Sequence, residues 1–220
     1  MSIADKLTTI AKNVPKVYEA GAENLIKCLT NNKQRTDFQR FFAYSDCTGL
    51  TFDSTYFEQA VTTNHMFYNY AGTEYPKGIL LPNATNIGNG GFGASYFVTE
   101  IYDMKIPTQS TWNNCFNGCS ALVTIGFPIK CTVDTSLNNI FYSCRELVNV
   151  TFDGEIGQNI VLTYSTKLSH DSLMSLINTL YDFKSAGSTT TRTATLGSTN
   201  LAKLSDTEKA IATQKGWTLA

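Results

Sequence analysis

Residues 115–154 read CFNGCSALVTIGFPIKCTVDTSLNNIFYSCRELVNVTFDG, and the same phrase occurs in them twice. Phe116, Cys119 and Leu122 are echoed by Phe141, Cys144 and Leu147; Ile125 is echoed by Val150 and Phe127 by Phe152, each at an offset of 25 residues. A fixed offset of roughly 20–29 residues, with apolar positions locked in phase, marks a unit that cannot bury its apolar face alone and must stack on its neighbours. Within each unit Leu122, Ile125, Phe127 and Ile129 are expected to point inward. Upstream the spacing persists while the letters decay. Phe92, Phe67 and Phe42 continue the series, with Val98 and Ile101 standing for Leu122 and Ile125. The motif cysteine is absent from these earlier units, unless Cys47 is a shifted version of it. The expectation is that Cys119 lies over Cys144, and Phe127 over Phe152, in a shared dry interior.

A chain of 220 residues fits one domain of ordinary size with appendages, and 42 % hydrophobic residues suffice for a packed core. The net charge of −1 and the absence of a Lys/Arg cluster argue against nucleic-acid binding through phosphate neutralisation. No run of 18 apolar residues occurs, so membrane insertion by a helix is not expected. The opening, MSIADKLTTIAKNVPKVYEAG, does not read as a secretory signal peptide, because Asp5, Lys6, Thr8, Thr9 and Lys12 break any apolar stretch. Synthesis in the cytoplasm is expected, and a surface or extracellular role would need another export route, of which host lysis is one. That setting favours reduced thiols for the cysteines at 28, 47, 115, 119, 131 and 144. Cys119 and Cys144 are read as small buried hydrophobes. Cys115 and Cys119 could form half a metal site, but His65 and His170 are the only histidines and no second cysteine pair has ligand spacing. Neither a metal nor a cofactor is expected.

Ile3, Leu7, Ile10, Val14 and Val17 follow steps of 4, 3, 4 and 3, the narrow seam of a helix that meets other helices. They are read as an oligomerisation or docking segment over residues 1–30, against the alternative of a helix packed on its own body. Residues 31–38 are polar and read as a loop. The stretch 88–93, GNGGFG, lacks the helix and Lys-Ser/Thr of a phosphate loop, and is read as a turn. Near the end, Ser169 should start a helix carrying Leu173, Leu176, Ile177, Leu180 and Tyr181 on one face. Ser205 with Glu208 forms a capping box, Gly216 suits a helix C-terminus, and Trp217 begins a terminal strand expected to pair with Thr195 and Leu196. The expected layout is residues 1–30 as the helical segment, 31–165 as stacked repeats and 166–220 as a cap.

Catalytic signatures are lacking. Neither histidine sits in a hydrolase-like context and no Gly-x-Ser-x-Gly occurs. Glu100 with Asp103, and Asp153 with Glu155, are the local carboxylate pairs a glycosidase would need. Asp103 and Asp153, two strand steps apart, would be separated by about 10 Å, and they read as solvated turn carboxylates. Tyr68, Tyr70, Tyr75, Tyr96, Tyr102 and Trp112, beside Asn113 and Asn114, are more suggestive. Rigid aromatic area with adaptable amides makes a contact surface for a protein or glycan. The competing reading is that half of these aromatics fill the core.

The pattern F-x-x-C-x-x-L-x-x-[IV]-x-F resembles the BspA-type leucine-rich repeat. The opening quoted above and the ending LGSTNLAKLSDTEKAIATQKGWTL resemble phage and prophage tail-associated proteins of gut bacteria that carry such repeats. The resemblance implies an α/β repeat fold: a short leucine-rich-repeat-like solenoid with an N-terminal helix and an α/β C-terminal cap. It further implies a non-enzymatic structural protein of the virion, partnered by other tail or baseplate proteins and by a host cell-surface glycan or protein. A homo-oligomer, a trimer by resemblance, follows the same way. The alternatives are a bacterial BspA-like surface adhesin, an internal baseplate adaptor and a glycan depolymerase.

Overall fold

The computed structural model describes residues 27, 29–31 and 34–220. Strands β1 (Glu100–Ile101), β2 (Thr124–Cys131) and β3 (Asn149–Gly154) form one parallel sheet in that order. A second parallel sheet, in the order β4-β5-β6, joins β4 (Ile160–Val161), β5 (Arg192–Thr195) and β6 (Trp217–Leu219). Helices α1 (His170–Thr179), α2 (Ser198–Leu201) and α3 (Asp206–Gln214) are the α-helices among residues 34–220.

This corrects the expected leucine-rich-repeat-like solenoid. The chain builds a small mixed α/β molecule with two separate three-stranded sheets, not a repeat domain lined by one continuous sheet. Three local causes are visible. Towards the N-terminus the sheet gives out: β1 has two residues, and before it the described residues form isolated bridges, Asp37↔Thr62 and Thr51↔Lys77, the latter next to Pro76, which has no N–H to contribute. Within the sheet, the β2–β3 register shifts between Thr124 and Pro128, so Phe152 faces Ile129 and not Phe127. After β3, helix α1 takes the place of a further strand. The β3 N–H groups of Val150 and Phe152 donate to the hydroxyls of Ser172 (3.0 Å) and Ser175 (2.8 Å) on that helix. Hydroxyls thus close an edge that another strand could otherwise add to.

The offset of 24 or 25 residues appears, packed against Phe127 of β2, as a column of aromatic rings. Phe42, Phe67, Phe92, Phe116 and Phe141 follow one another at 5.3, 5.3, 5.4 and 5.4 Å between centroids. The first three pairs are within 7° of parallel. Centroids this far apart with parallel planes describe offset stacking, the arrangement the ring quadrupole prefers. Each ring sits at the centre of a tight turn, and the turns are hydrogen-bonded to each other. Phe42 N–H donates to Met66 O (2.8 Å), Phe67 N–H to Gly91 O (2.7 Å) and Phe92 N–H to Cys115 O (2.9 Å). Two residues before and two after each ring, the backbone is left-handed, as at His65 (φ 55°) and Asn69 (φ 54°) around Phe67. The alternation turns every second N–H along the column. In each turn the residue after the ring donates back within the turn, as Tyr68 N–H does to His65 O, and around Phe42, Phe67, Phe116 and Phe141 the residue before the ring does so too, as Met66 N–H does to Thr63 O.

The thiols complete the column. Cys119 and Cys144, each three residues after a ring, donate S–H to Phe92 O and Phe116 O, both at 3.0 Å. Burial pushes the Cys119 thiol up to about 12 and the Cys144 thiol well above its ordinary value. They are neutral donors, not nucleophiles. Cys47, Cys115, Cys119, Cys131 and Cys144 are all free and buried.

The C-terminal elements match their local signals, except that α1 ends at Thr179: Leu180 and Tyr181, expected on its apolar face, lie beyond it, and Leu180 forms a bridge with Ile156. Ser169 caps α1, accepting from Ser172 N–H. Ser205 and Glu208 form a complete capping box at α3, and Gly216 follows that helix with φ 91°. The terminal strand pairs with the residues just before the expected Thr195 and Leu196, from Arg192↔Trp217 to Ala194↔Leu219. The seam formed by Ile3, Leu7, Ile10, Val14 and Val17 lies outside the described residues.

Candidate functional site

On the outer face of the turn column, the residue after each ring changes from turn to turn: Ala43, Tyr68, Gly93, Asn117 and Tyr142. Where that position is glycine the surface is hollow. A Cβ at Gly93 would stand 3.4 Å from the Tyr68 ring and 3.2 Å from Asn114 O, so a larger side chain there would press on both. A Cβ at Gly90 would stand 2.9 Å from His65 Nε2, which places the imidazole over that glycine. The result is a cleft of about 200 Å³ with a floor of Gly90, Gly93, Ala94 and Gly118 and walls of His65, Tyr68, Tyr96, Asn114 and Asn117.

The walls have distinct chemistries. Tyr68 meets His65 edge-to-face at 5.4 Å and Tyr44 edge-to-face at 6.1 Å, which fixes its ring. Tyr96 is 48 % exposed, although its ring edge lies close to Gly118. Asn117 Nδ2 donates to Asn114 Oδ1 at 3.2 Å, which leaves the Asn117 carbonyl and one Asn114 amide group for other partners. His65 Nδ1 is buried without a partner. Burial and the charge of Arg40 hold the His65 imidazole below its ordinary value, so it is neutral near pH 7. The ion pairs of the described residues do not include His65, so no carboxylate orients it as a general base. Among the described residues, no carboxylate or ammonium lines the cleft.

Of the residues singled out by sequence, Tyr68, Tyr96 and Asn114 come together here. Tyr70 does not: its buried hydroxyl accepts from Cys47 N–H (2.9 Å) and donates to Glu74 O (3.0 Å). Trp112 is core, with its indole N–H on Lys130 O at 3.0 Å. Asn113 ties neighbouring turns together, its Oδ1 accepting from Ser136 Oγ (2.7 Å) and Asn138 N–H (2.8 Å). Tyr75 and Tyr102 border a second, open depression of about 510 Å³ together with Glu74, Lys77 and Glu100. The Tyr102 hydroxyl is already committed there, donating to Pro76 O (2.7 Å) and accepting from Ile79 N–H (3.0 Å).

The carboxylate pairs give no acid–base arrangement. Partial burial would raise the Asp103 carboxyl, but hydrogen bonds from Lys105 and the charges of Lys105 and Lys130 leave it below its ordinary value. A general acid needs the opposite shift. Asp153 faces Lys130 across the β2–β3 ladder. Among the described residues, no three His, Cys, Asp or Glu side chains gather as metal ligands, and no helix is long and apolar enough to cross a membrane.

His65, Asn117 and the glycine floor were not among the residues the sequence singled out. The signal that finds them is their phase relative to each stacked ring, which requires knowing that the rings stack. No family model matches the chain, and neither the curated proteins nor the solved structures provide a match.

Proposed function

We propose that this chain is a non-enzymatic attachment protein of a phage or prophage tail, and that it holds a glycan of the host cell surface. The observation that carries this reading is the cleft between Tyr68 and Tyr96. Two tyrosines offer flat faces to the apolar side of a sugar ring, and Asn114 and Asn117 offer amides to its hydroxyls. Among the described residues no charged side chain lines the cleft and no carboxylate pairs with His65, which suits it to holding a neutral ligand and not to cleaving it. The tail assignment rests on the resemblance of the two chain ends. The N-terminal seam would assemble the chain into a homo-oligomer or dock it on other tail or baseplate proteins. Repetition would then convert weak single-site contacts into firm attachment.

Isothermal titration of the full chain with polysaccharide extracted from the host wall tests the binding. Tyr96→Ala should weaken it about tenfold or more, the loss typical of an aromatic anchor. Absence of heat with every wall fraction would end the glycan reading. For the assembly role, the mass measured by light scattering should fall to that of a monomer when the chain begins at Asn31. A monomer in both cases would remove it.

A further inference from the structure

The cleft does not stop at the residues that enclose it. Tyr68, Gly93 and Asn117 occupy the same position in three successive turns, and Tyr142 occupies it in the next. Gly118 N–H donates to Tyr142 O at 2.8 Å, so the turn carrying Tyr142 is the direct continuation of the cleft wall. The Tyr142 ring is 43 % exposed and meets the exposed Tyr164 ring at 4.5 Å. Equivalent residues advance with the ring column, in steps of 5.3, 5.4 and 5.4 Å from Phe67 to Phe141, so the positions of Tyr68 and Tyr142 are about 16 Å apart. An aromatic pair therefore stands at each end of the strip: Tyr44 with Tyr68, and Tyr142 with Tyr164. Between them the surface is floored by small residues and edged by Asn114 and Asn117.

We infer that this strip is a binding track for an extended, neutral, equatorially linked polysaccharide, laid along the turn column with one pyranose ring per turn. The inference rests on the glycan-binding reading above and adds the shape, charge and orientation of the ligand. Three features select that class. The step between turns is close to the length of one pyranose in a chain whose linkages leave both ends of the ring equatorially; axially linked chains coil and drift out of phase. The two aromatic ends are three steps apart, so the rings that stack on them are the first and fourth of a four-sugar segment. The lining of the central cleft carries amides and phenols but no fixed charge, which favours neutral or N-acetylated sugars over uronic acids.

The test is the dependence of affinity on chain length. The full chain is titrated with β-1,4-linked cello- and chito-oligosaccharides of two to six sugars, with α-1,4-linked malto-oligosaccharides as the coiled comparison. Affinity in at least one β-linked series should rise about tenfold or more from the disaccharide to the tetrasaccharide and then level off. The malto- series should show no such rise. Tyr142→Ala should remove the gain of the tetrasaccharide over the disaccharide, so that the two bind about equally. Tyr142 is a surface residue, so an unchanged thermal midpoint will show that the variant is folded. β-linked oligosaccharides that bind equally at all lengths, or a Tyr142→Ala variant that keeps the full gain, would overturn the track while leaving the glycan reading intact. Failure of every oligosaccharide to bind, together with binding of wall polysaccharide, would overturn the ligand class alone. Failure of both would remove the glycan reading with it.

Discussion

Phe92 is the middle ring of the column, fully buried, with Phe67 at 5.3 Å on one face and Phe116 at 5.4 Å on the other. Tyr75 at 5.4 Å and Phe127 at 6.3 Å close its edges. Phe92→Ala leaves a cavity bounded by four aromatic rings that are themselves pinned by the turn ladder, so the site has little freedom to collapse. Truncating a buried Phe costs about 3–5 kcal/mol, and the cost rises with the cavity that persists. The loss here belongs near the upper end, about 4–5 kcal/mol. Phe92→Leu keeps most of the volume and gives up the two stacked contacts, for about 1–2 kcal/mol. Phe97, 59 % exposed and five residues along, is the control; its alanine variant should change stability by no more than about 0.5 kcal/mol. Urea unfolding followed by far-ultraviolet circular dichroism measures all three. With a slope of about 2.5 kcal/mol/M, Phe92→Ala should move the midpoint down by about 1.6–2 M. If Phe92→Ala cost about 1 kcal/mol or less, or no more than Phe97→Ala, the ring column would not be what holds the turns in register.

Two further outcomes follow from the same column. Cys144→Ala removes one of two donors to Phe116 O, which keeps the Cys119 N–H at 3.0 Å, and should cost about 1 kcal/mol, whereas Cys144→Ser should cost less, because Ser95 Oγ serves Phe67 O in the same way at 3.0 Å; urea midpoints in which serine is the worse substitution would contradict this. The His65 imidazole is held below its ordinary 6.5 by burial and by Arg40, so the unfolded chain takes up its proton first; stability is then full above pH 6.5 and declines as pH falls from there through the lowered folded value. His65→Asn, a residue that the same turn position already carries at Asn114 and Asn139, should flatten that part of the stability–pH curve; an unchanged slope would show that His65 does not produce it.

The sequence announced the periodicity, but not all of what it is made of. The conserved-looking cysteine invites a search for cysteine in every unit, and upstream that search fails. At Phe92, Phe116 and Phe141 the position three residues after the ring needs a small donor for the carbonyl of the preceding ring, whereas at Phe67 it is Tyr70, whose hydroxyl donates to Glu74 O. Ser95 meets that need as Cys119 and Cys144 do, so the unit around Phe92 is complete without a thiol. Cys47 is no displaced member of the set: its N–H donates to the Tyr70 hydroxyl, at a place where the preceding unit is no guide. The β2 shift was invisible for a different reason. Phe127 and Phe152 have the same spacing to their rings, and nothing in their letters reveals that Gly126 and Phe127 lie where the ladder slips. The capped helices were legible because capping is local chemistry, readable within four residues at Ser169 and Ser205. The cleft was half legible: composition marked Tyr68, Tyr96 and Asn114, but gave Tyr70 and Trp112 equal standing, since burial depends on which turn a residue occupies.

The two sides of the molecule keep their repeat with unequal fidelity, and this bears on where function sits. On the strand side, β1 has two residues, β2 slips against β3, and α1 replaces any further strand. On the turn side, each step is held by an offset ring stack and by up to three hydrogen bonds between turns. Around Phe67 these run from His65 to Asn89, Phe67 to Gly91 and Asn69 to Gly93. The left-handed residues make that precision costly: a residue other than glycine or asparagine in this region costs roughly 1–2 kcal/mol, and Arg40, Tyr44, His65, Ala94 and Ser143 all adopt it. Folding alone could be served by looser turns, as the strand side illustrates. Strain that is maintained turn after turn, beneath a face of tyrosine, asparagine and glycine, is accounted for if the spacing itself is what a ligand reads. A periodic ligand can gain affinity from each added unit only when the protein's step matches its own, and the strained turns are what hold that step constant across the strip from Tyr68 to Tyr142.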